Sequence, residues 1–445
     1  MKTEAFGHRA GFVTVGLSLL FLSGLSAQTP TLGAFQVASD PAAGQLNLGS
    51  VVVSPDSRFL YVANTAWELD PTTRLPVAER SDLVPRLASP DVQGDSWALV
   101  SRGTDCRSVE RTYTVYRRTP VGTSTASEYA FFVQTRNPES GAFGAPQPIG
   151  SIAAALLREI EAHGTVSADG QAFGVFGAVR NSNNEDELRL VVASREESNQ
   201  YTIRVENPPG QRVALGSSSG WPALLVSGRA ALGIVRSGTS SPWISLSIYL
   251  NDPASAPTWA SVMPIYWQRQ SIPASVNRVL VDAGDDRLVL APDNLTGVVQ
   301  TYRWSQTHHA LAHERTLFDP RFVSTVTPAQ SGDGDLLATA YANTLRLWQW
   351  NRQTRELTLA DEKSYPFGRF IFEQIALSSN GRLILAKGRT QGTTGEWLIA
   401  AIPVDRGPAK ADAVRALLTG EEASPALDAN QDAVLDAADI LKLVP

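Results

Sequence analysis

Between residues 28 and 408 the apolar and polar positions recur in a pattern: an apolar residue, a short Ser/Asp/Gly turn, then an apolar strand. It reads VSPDSRFLYVA from Val53, VSADGQAFGVF from Val166, VDAGDDRLVLA from Val281 and LSSNGRLILAK from Leu377. Looser copies are SPDVQGDSWALVS from Ser89, LVSGRAALGIV from Leu225 and TPAQSGDGDLLATA from Thr327. Asp, Asn, Ser and Gly supply the turn conformations, and the flanking β-branched and aromatic residues suit buried strands, so each copy predicts a β-hairpin.

A second pattern alternates with the first: strand, polar turn, strand. Its copies are FFVQTRNPESGAFGAPQPI from Phe131, VVQTYRWSQTHHALAHERTL from Val298 and LRLWQWNRQTRELTLADE from Leu345, with looser versions from Trp67, Tyr201, Ile244 and Glu396. Each pair of patterns gives four short strands, and seven pairs give about 54 residues per unit, near the roughly 40–50 of common propeller blades. The segment AFQVASDPAAGQL from Ala34 looks like a second half without a first, while the last pair ends early at IPVDRGP near Pro408. An N-terminal strand is therefore expected to complete the final unit, which protects edge strands. The alternative is a leading strand of a β-sandwich or of two sheet domains.

The SPDSRFLYVA-type turns and the hairpins that follow resemble the lactonase-like and WD40-like β-propellers over residues 33–405. The expected fold class is all-β: a β-propeller of about seven four-stranded blades followed by a small α-helical tail. Such propellers serve as binding platforms and as enzymes alike. No His, Glu and Arg set matches the lactonase-like enzymes.

After Arg406-Gly407-Pro408 the pattern changes. Val414, Leu417 and Leu418 fall at helical spacing, Gly420 is placed to end that helix, and Ile440, Leu441 and Val444 predict a second. Between them Asp428, Asn430, Asp432, Asp436 and Asp439 occupy loop positions 1, 3, 5, 9 and 12, with the Val434 carbonyl at position 7. Six oxygens at that spacing suit Ca²⁺, which takes six to eight. Ala433 replaces the Gly that eases the bend and Asp439 the bidentate Glu, so weak binding is expected. The loop resembles half of a dockerin, in which Asp closes a DxNxDxxxxxxD loop, and the five side chains match that family's ligand positions. A dockerin binds a cohesin through two loops. Residues 409–427 hold no first loop, and Ala437-Ala438 stand where polar recognition residues are usual, which argues against a cohesin partner.

The first 27 residues carry Lys2 and Arg9 before an uncharged run from Ala10 to Ala27, and are expected to be a signal peptide cleaved after Ala27. An uncleaved anchor helix is the alternative; no second span is expected after removal. The domains expected are therefore 1–27 signal, 28–408 propeller and 409–445 calcium-binding tail.

The formal net charge of -6 offers no basic surface for a phosphate backbone, which argues against nucleic acid. A single cysteine, Cys106, excludes an intramolecular disulfide. His308, His309 and His313 lie in an expected hairpin turn, and Ala310 stands where a zinc-protease helix needs Glu. His163 follows the helix-like SIAAALLREIEA from Ser151. Asp285-Asp286, Asp333 with Asp335, and Glu185-Asp186-Glu187 fall in expected turns, where carboxylates serve backbone conformation. Trp348 and Trp350 should share one sheet face and pack in the core. Catalytic residues are not identifiable. The preferred expectation is a secreted, calcium-binding binding or scaffold module that takes a protein or glycan at the propeller mouth. The alternatives are a secreted carbohydrate-active hydrolase or lyase and a lactonase-like ester hydrolase.

Overall fold

The computed structural model describes residues 29–39 and 51–407, less 63–64, 86, 88–93, 106–107, 158, 161–163, 168–169, 181–185, 197–198, 207–220, 225–229, 237–243, 251–262, 266–274, 283–286, 294–297, 306–309, 323, 325, 327, 352–353, 355 and 393–394. From 206 to 314 it describes the backbone alone. Pro30–Arg406 form one compact unit.

The described strands are all antiparallel and form seven sheets that follow one another along the chain. Sheet I holds Val51–Val53, Phe59–Val62, Thr65–Leu69 and Pro76–Glu79; sheet II holds Ser96–Thr104, Arg111–Thr119, Glu128–Thr135 and Gln147–Ala153. Sheet III opens with the broken pair Glu159–Ile160 and Thr165–Val166 and continues with Ala172–Arg180, Asp186–Arg195 and Tyr201–Glu206. Sheet IV holds Trp221–Leu224, Ala230–Arg236, Ile244–Leu250 and Met263–Ile265, and sheet V holds Ser275–Asp282, Arg287–Asp293, Val298–Ser305 and Ala310–Phe318. Sheet VI holds Ala329–Gln330, Leu336–Tyr341, Thr344–Asn351 and Glu356–Ser364. Sheet VII holds Ile371–Leu377, Leu383–Arg389 and Trp397–Asp405.

Sheet VII is finished from the other end of the chain. Thr31–Leu32 pairs with Asp405 and Val404, and Gln36–Ser39 pairs with Leu398–Ala401. The expected N-terminal closing strand is therefore present. It is gripped from sheet VI as well: Leu32 N–H donates to Asp361 Oδ2 at 2.6 Å, and Lys363 Nζ donates to the Leu32 and Gly33 carbonyls.

First strands lie beside first strands between sheets II and III, III and IV, IV and V, VI and VII, and VII and I. Sheets I and II meet through Tyr61 and Gly141, and sheets V and VI through Arg315 and Glu356. Each sheet thus meets the next and the last meets the first, which is propeller architecture. This explains the apolar runs, because a strand with both faces covered needs apolar residues at odd and even positions. In sheet I, Phe59 and Tyr61 pack with Phe143 of sheet II, while Leu60 between them packs with Leu383, Leu385 and Ala401 of sheet VII. Between sheets II and III, the Tyr113 and Phe173 rings stack at 5.5 Å. Trp348 and Trp350 are both buried, as the alternation predicts, and Trp348 packs on Phe322 and Leu337.

Three local expectations are corrected. The Ser89 copy does not form the first hairpin of its unit; that turn lies between Thr104 and Arg111, with Asp105 N–H bonded to the Arg111 carbonyl. The second half expected from Tyr201 begins earlier, at Asp186, and Tyr201–Glu206 is the fourth strand. The helix-like segment from Ser151 is the end of a strand followed by a single 3-10 turn, Ala154–Leu156, because cross-strand pairing with Glu128–Ala130 outweighs its helical propensity.

Candidate functional site

In a four-stranded meander, the turns after the first and third strands fall at one end of the sheet and the remaining connections at the other. The two ends of these sheets differ chemically.

The first end is polar and stitched together. In four units a buried serine caps its own turn: Ser54 Oγ accepts from Phe59 N–H at 2.9 Å, Ser167 from Ala172 at 2.9 Å, Ser331 from Leu336 at 3.0 Å and Ser378 from Leu383 at 2.9 Å. Among the described residues each turn has one at positive φ, namely Ser57, Gly170, Gly334 and Gly381. Neighbouring turns bond to each other as well. Gly332 N–H donates to the Ser379 carbonyl at 2.8 Å, and Asn380 Nδ2 donates to the Pro55 carbonyl. Tyr61 donates to the Gly141 carbonyl at 2.6 Å and accepts from Arg136 Nε at 2.7 Å. Tyr113 donates to the Gly170 carbonyl at 2.7 Å.

Arg406 completes this end. Its buried guanidinium donates from Nη1 to Asp333 Oδ2 and to the Asn380 carbonyl, both at 2.8 Å. Burial alone would raise the Asp333 carboxyl, but Arg406 and the Ser331 hydroxyl outweigh it and hold the group below the usual aspartate range. The Asp333 carboxylate is committed to Arg406 and to the Asp335 N–H of its own turn. Among the described residues no three His, Cys, Asp or Glu side chains gather as a metal site would require.

The other end displays apolar side chains. Six large hydrophobic residues are exposed among the described ones, and five of them sit here: Val121, Leu156, Phe318, Tyr341 and Phe367. Phe367 is the most open, at 77%. Several charged groups close by are paired. Arg118 binds Asp95 at 2.6 Å and Glu128 at 2.8 Å and lies over the Trp97 ring, and its hydrogen bond holds Glu128 below the usual carboxylate range. Arg321 binds Asp319 at 2.8 Å and Arg389 binds Glu373 at 2.6 Å. Lys387 is buried between sheets VII and I, 4.5 Å from the Trp397 ring centroid, and burial lowers its amine below the usual lysine range.

Asp428, Asn430, Asp432, Val434, Asp436 and Asp439 lie outside the described residues, as do Cys106, His163, His308, His309, Asp285 and Asp286. His313 stands within a strand, paired with Tyr302. Asp333 and Asp335 lie in a turn as expected, whereas Asp186 and Glu187 open a strand. The sequence pattern gave no sign of the Arg406 and Arg136 links, whose partners are far along the chain, or of the Phe367 display. A Pro-Phe-Gly turn between two predicted strands was the one available signal for the latter.

No protein-family model matches the chain, and no curated protein does. Among solved structures it is similar to the β-propeller domain of Cps50 (Swd1) from Myceliophteria thermophila, at 13% identity and TM-score 0.40, over 80% of this chain and 97% of that one. It is also similar to the periplasmic gluconolactonase PpgL of Pseudomonas aeruginosa, at 14% identity and TM-score 0.41, over 78% and 93%. A third is the C-terminal WD40 domain of Sif2, at 13% identity and TM-score 0.38, over 84% and 99%.

Proposed function

We propose that the protein is an exported β-propeller of seven blades that works as a binding platform, and that its tail holds one Ca²⁺ for attachment or assembly. One observation carries the platform reading: among the described residues, five of the six exposed large hydrophobic side chains stand at one end of the sheets, and the opposite end is polar and bonded to itself. Exposed apolar surface costs solubility and is a mark of interaction sites. The Asp428 to Asp439 loop supports the calcium reading through its oxygen spacing, and the ion would bring together carboxylates that repel each other without it. The residues before Gln28 support export.

The platform is tested by cross-linking the exported protein in its native medium. Cross-links to other polymers concentrate on loops near Phe318, Tyr341 and Phe367 and fall when those three become Ser; an even spread overturns the reading. Calcium is tested by isothermal titration of the full chain, with one site lost in Asp428→Ala. Turnover of lactones or glycosides by the full chain would replace the platform with one of the hydrolase alternatives.

A further inference from the structure

Resting on the platform reading, we infer that the surface built from Tyr341, Phe367 and Arg369 docks a protein segment that presents an apolar side chain beside a carboxylate.

The surface is constructed, not incidental. Pro366–Arg369 is a tight turn in which Arg369 N–H donates to the Pro366 carbonyl at 3.1 Å and Gly368 takes a φ of 76°, the geometry of a type II turn with Phe367 at its first corner. That corner is usually given to proline or a polar residue; here it holds a phenyl ring aimed into solvent. Both flanks are pinned. Tyr365 packs at a tilt against Phe35, ring centroids 5.3 Å apart, and bonds through its N–H to the Asn343 carbonyl at 2.9 Å, while Phe370 is fully buried against Phe372 at 5.0 Å. The apex is pinned as well, since Gln391 N–H donates to the Gly368 carbonyl at 2.9 Å.

Tyr341 belongs to the same unit. The next two residues of its loop bond across to the strand and turn that carry Phe367: the Ala342 carbonyl accepts from Phe372 N–H at 2.8 Å, and Asn343 Nδ2 donates to the Tyr365 carbonyl. A turn whose backbone is fixed before its partner arrives presents its aromatic side chain with little backbone ordering cost, a property of interface anchors.

Charge selects the occupant. The carboxylates nearest along the chain are already held: Asp361 by the Leu32 N–H, Glu362 by Arg346 and Glu373 by Arg389. Arg369 is exposed and joins no ion pair among the described residues. On a chain of net charge -6, this is a locally positive, apolar spot. It complements an acidic segment bearing a Leu, Ile or aromatic side chain.

The test pans a random 12-residue phage peptide library on the full-length protein, with a glycan array in parallel. The selected peptides carry Leu, Ile, Phe or Trp within three residues of Asp or Glu. Their affinity falls about tenfold or more in Phe367→Ser and in Arg369→Glu, and peptides with Asp and Glu changed to Lys regain binding to Arg369→Glu. Both side chains are exposed, so the unfolding midpoint of the variants stays near that of the parent. Neutral or basic selections, no enrichment, indifference to both substitutions, or glycan binding with the same sensitivity each overturn the inference. Binding that ignores Phe367 and Arg369 but is lost in Val121→Ser leaves the platform standing and removes only this site.

Discussion

Arg406 reaches from the end of the last described strand to Asp333 in the preceding sheet, with Nη1 2.8 Å from Oδ2, and its side chain is 5% exposed. The same nitrogen donates to the Asn380 carbonyl, so one guanidinium ties two turns together. Removing it leaves a partly buried carboxylate, 26% exposed, without its cation; for a fully buried pair such a change costs about 3–5 kcal/mol. Arg406→Ala is expected to lower chemical-denaturation stability toward that size, and Arg406→Lys to recover only part, because an ammonium lacks the planar fork. A loss under about 1 kcal/mol would refute the link.

The Asp333 carboxyl also sets an acid limit. Its folded-state pKa is depressed, so its contribution to stability is complete above the ordinary aspartate range and disappears as the pH falls through the lower folded value. Comparing the parent with Asp333→Asn across acid pH should show the two curves converging at the acid end. Parallel curves would refute it.

Tyr61 and Tyr113 give the opposite limit. Burial raises both phenols above the ordinary tyrosine value, in Tyr61 against the lowering effect of Arg136. A raised acid is protonated in the fold while the unfolded chain ionises, so stability is complete below the ordinary value and falls as the pH rises beyond it. In an alkaline absorbance titration, at least two of the ten tyrosines should stay un-ionised until the protein unfolds.

Gly141 reports on the junction of sheets I and II. It has a φ of 74°, and a Cβ there would lie 2.4 Å from the Phe59 ring. Gly141→Ala should destabilise by about 2–4 kcal/mol from backbone strain and overpacking together. In a double-mutant cycle with Phe59→Leu, the two losses should not add; simple additivity would show that the contact is absent.

The N-terminal strands cover the outer edge of Trp397–Asp405. Deleting residues 30–39 should expose that edge and produce dimers or larger species in size-exclusion chromatography. Replacing Asp361 and Lys363 with Ala should weaken the same closure without uncovering the edge, giving a lower unfolding midpoint and an unchanged elution volume.

The hairpins were legible because their instructions are local. Ser54, Ser167, Ser331 and Ser378 each cap a backbone N–H five residues on, and Gly170, Gly334 and Gly381 supply the positive φ. Sheet II breaks that code. Its first turn lacks glycine and places Val109 at a φ of 55°, unusual for a β-branched residue, so the nearby Ser89 to Asp95 stretch looked like the better turn. Tyr201 misled differently: the third strand Asp186–Arg195 opens within an acidic run that reads as loop, and pairing with Ala172–Arg180 settles it as strand. The binding end was the least legible, since a Phe in a sequence predicts burial and only the fold reveals that Phe367 stands outside.

Leu32 and Asp361 meet although 329 positions separate them. A ribosome releases the first of these long before the second exists, so the nascent chain holds an orphan strand until Asp361 and the strand Trp397–Asp405 have emerged. Closing so distant a contact is slow; a premature stop anywhere before the last sheet would release a chain with two raw margins, and protecting them in the interval falls to whatever escorts the polypeptide.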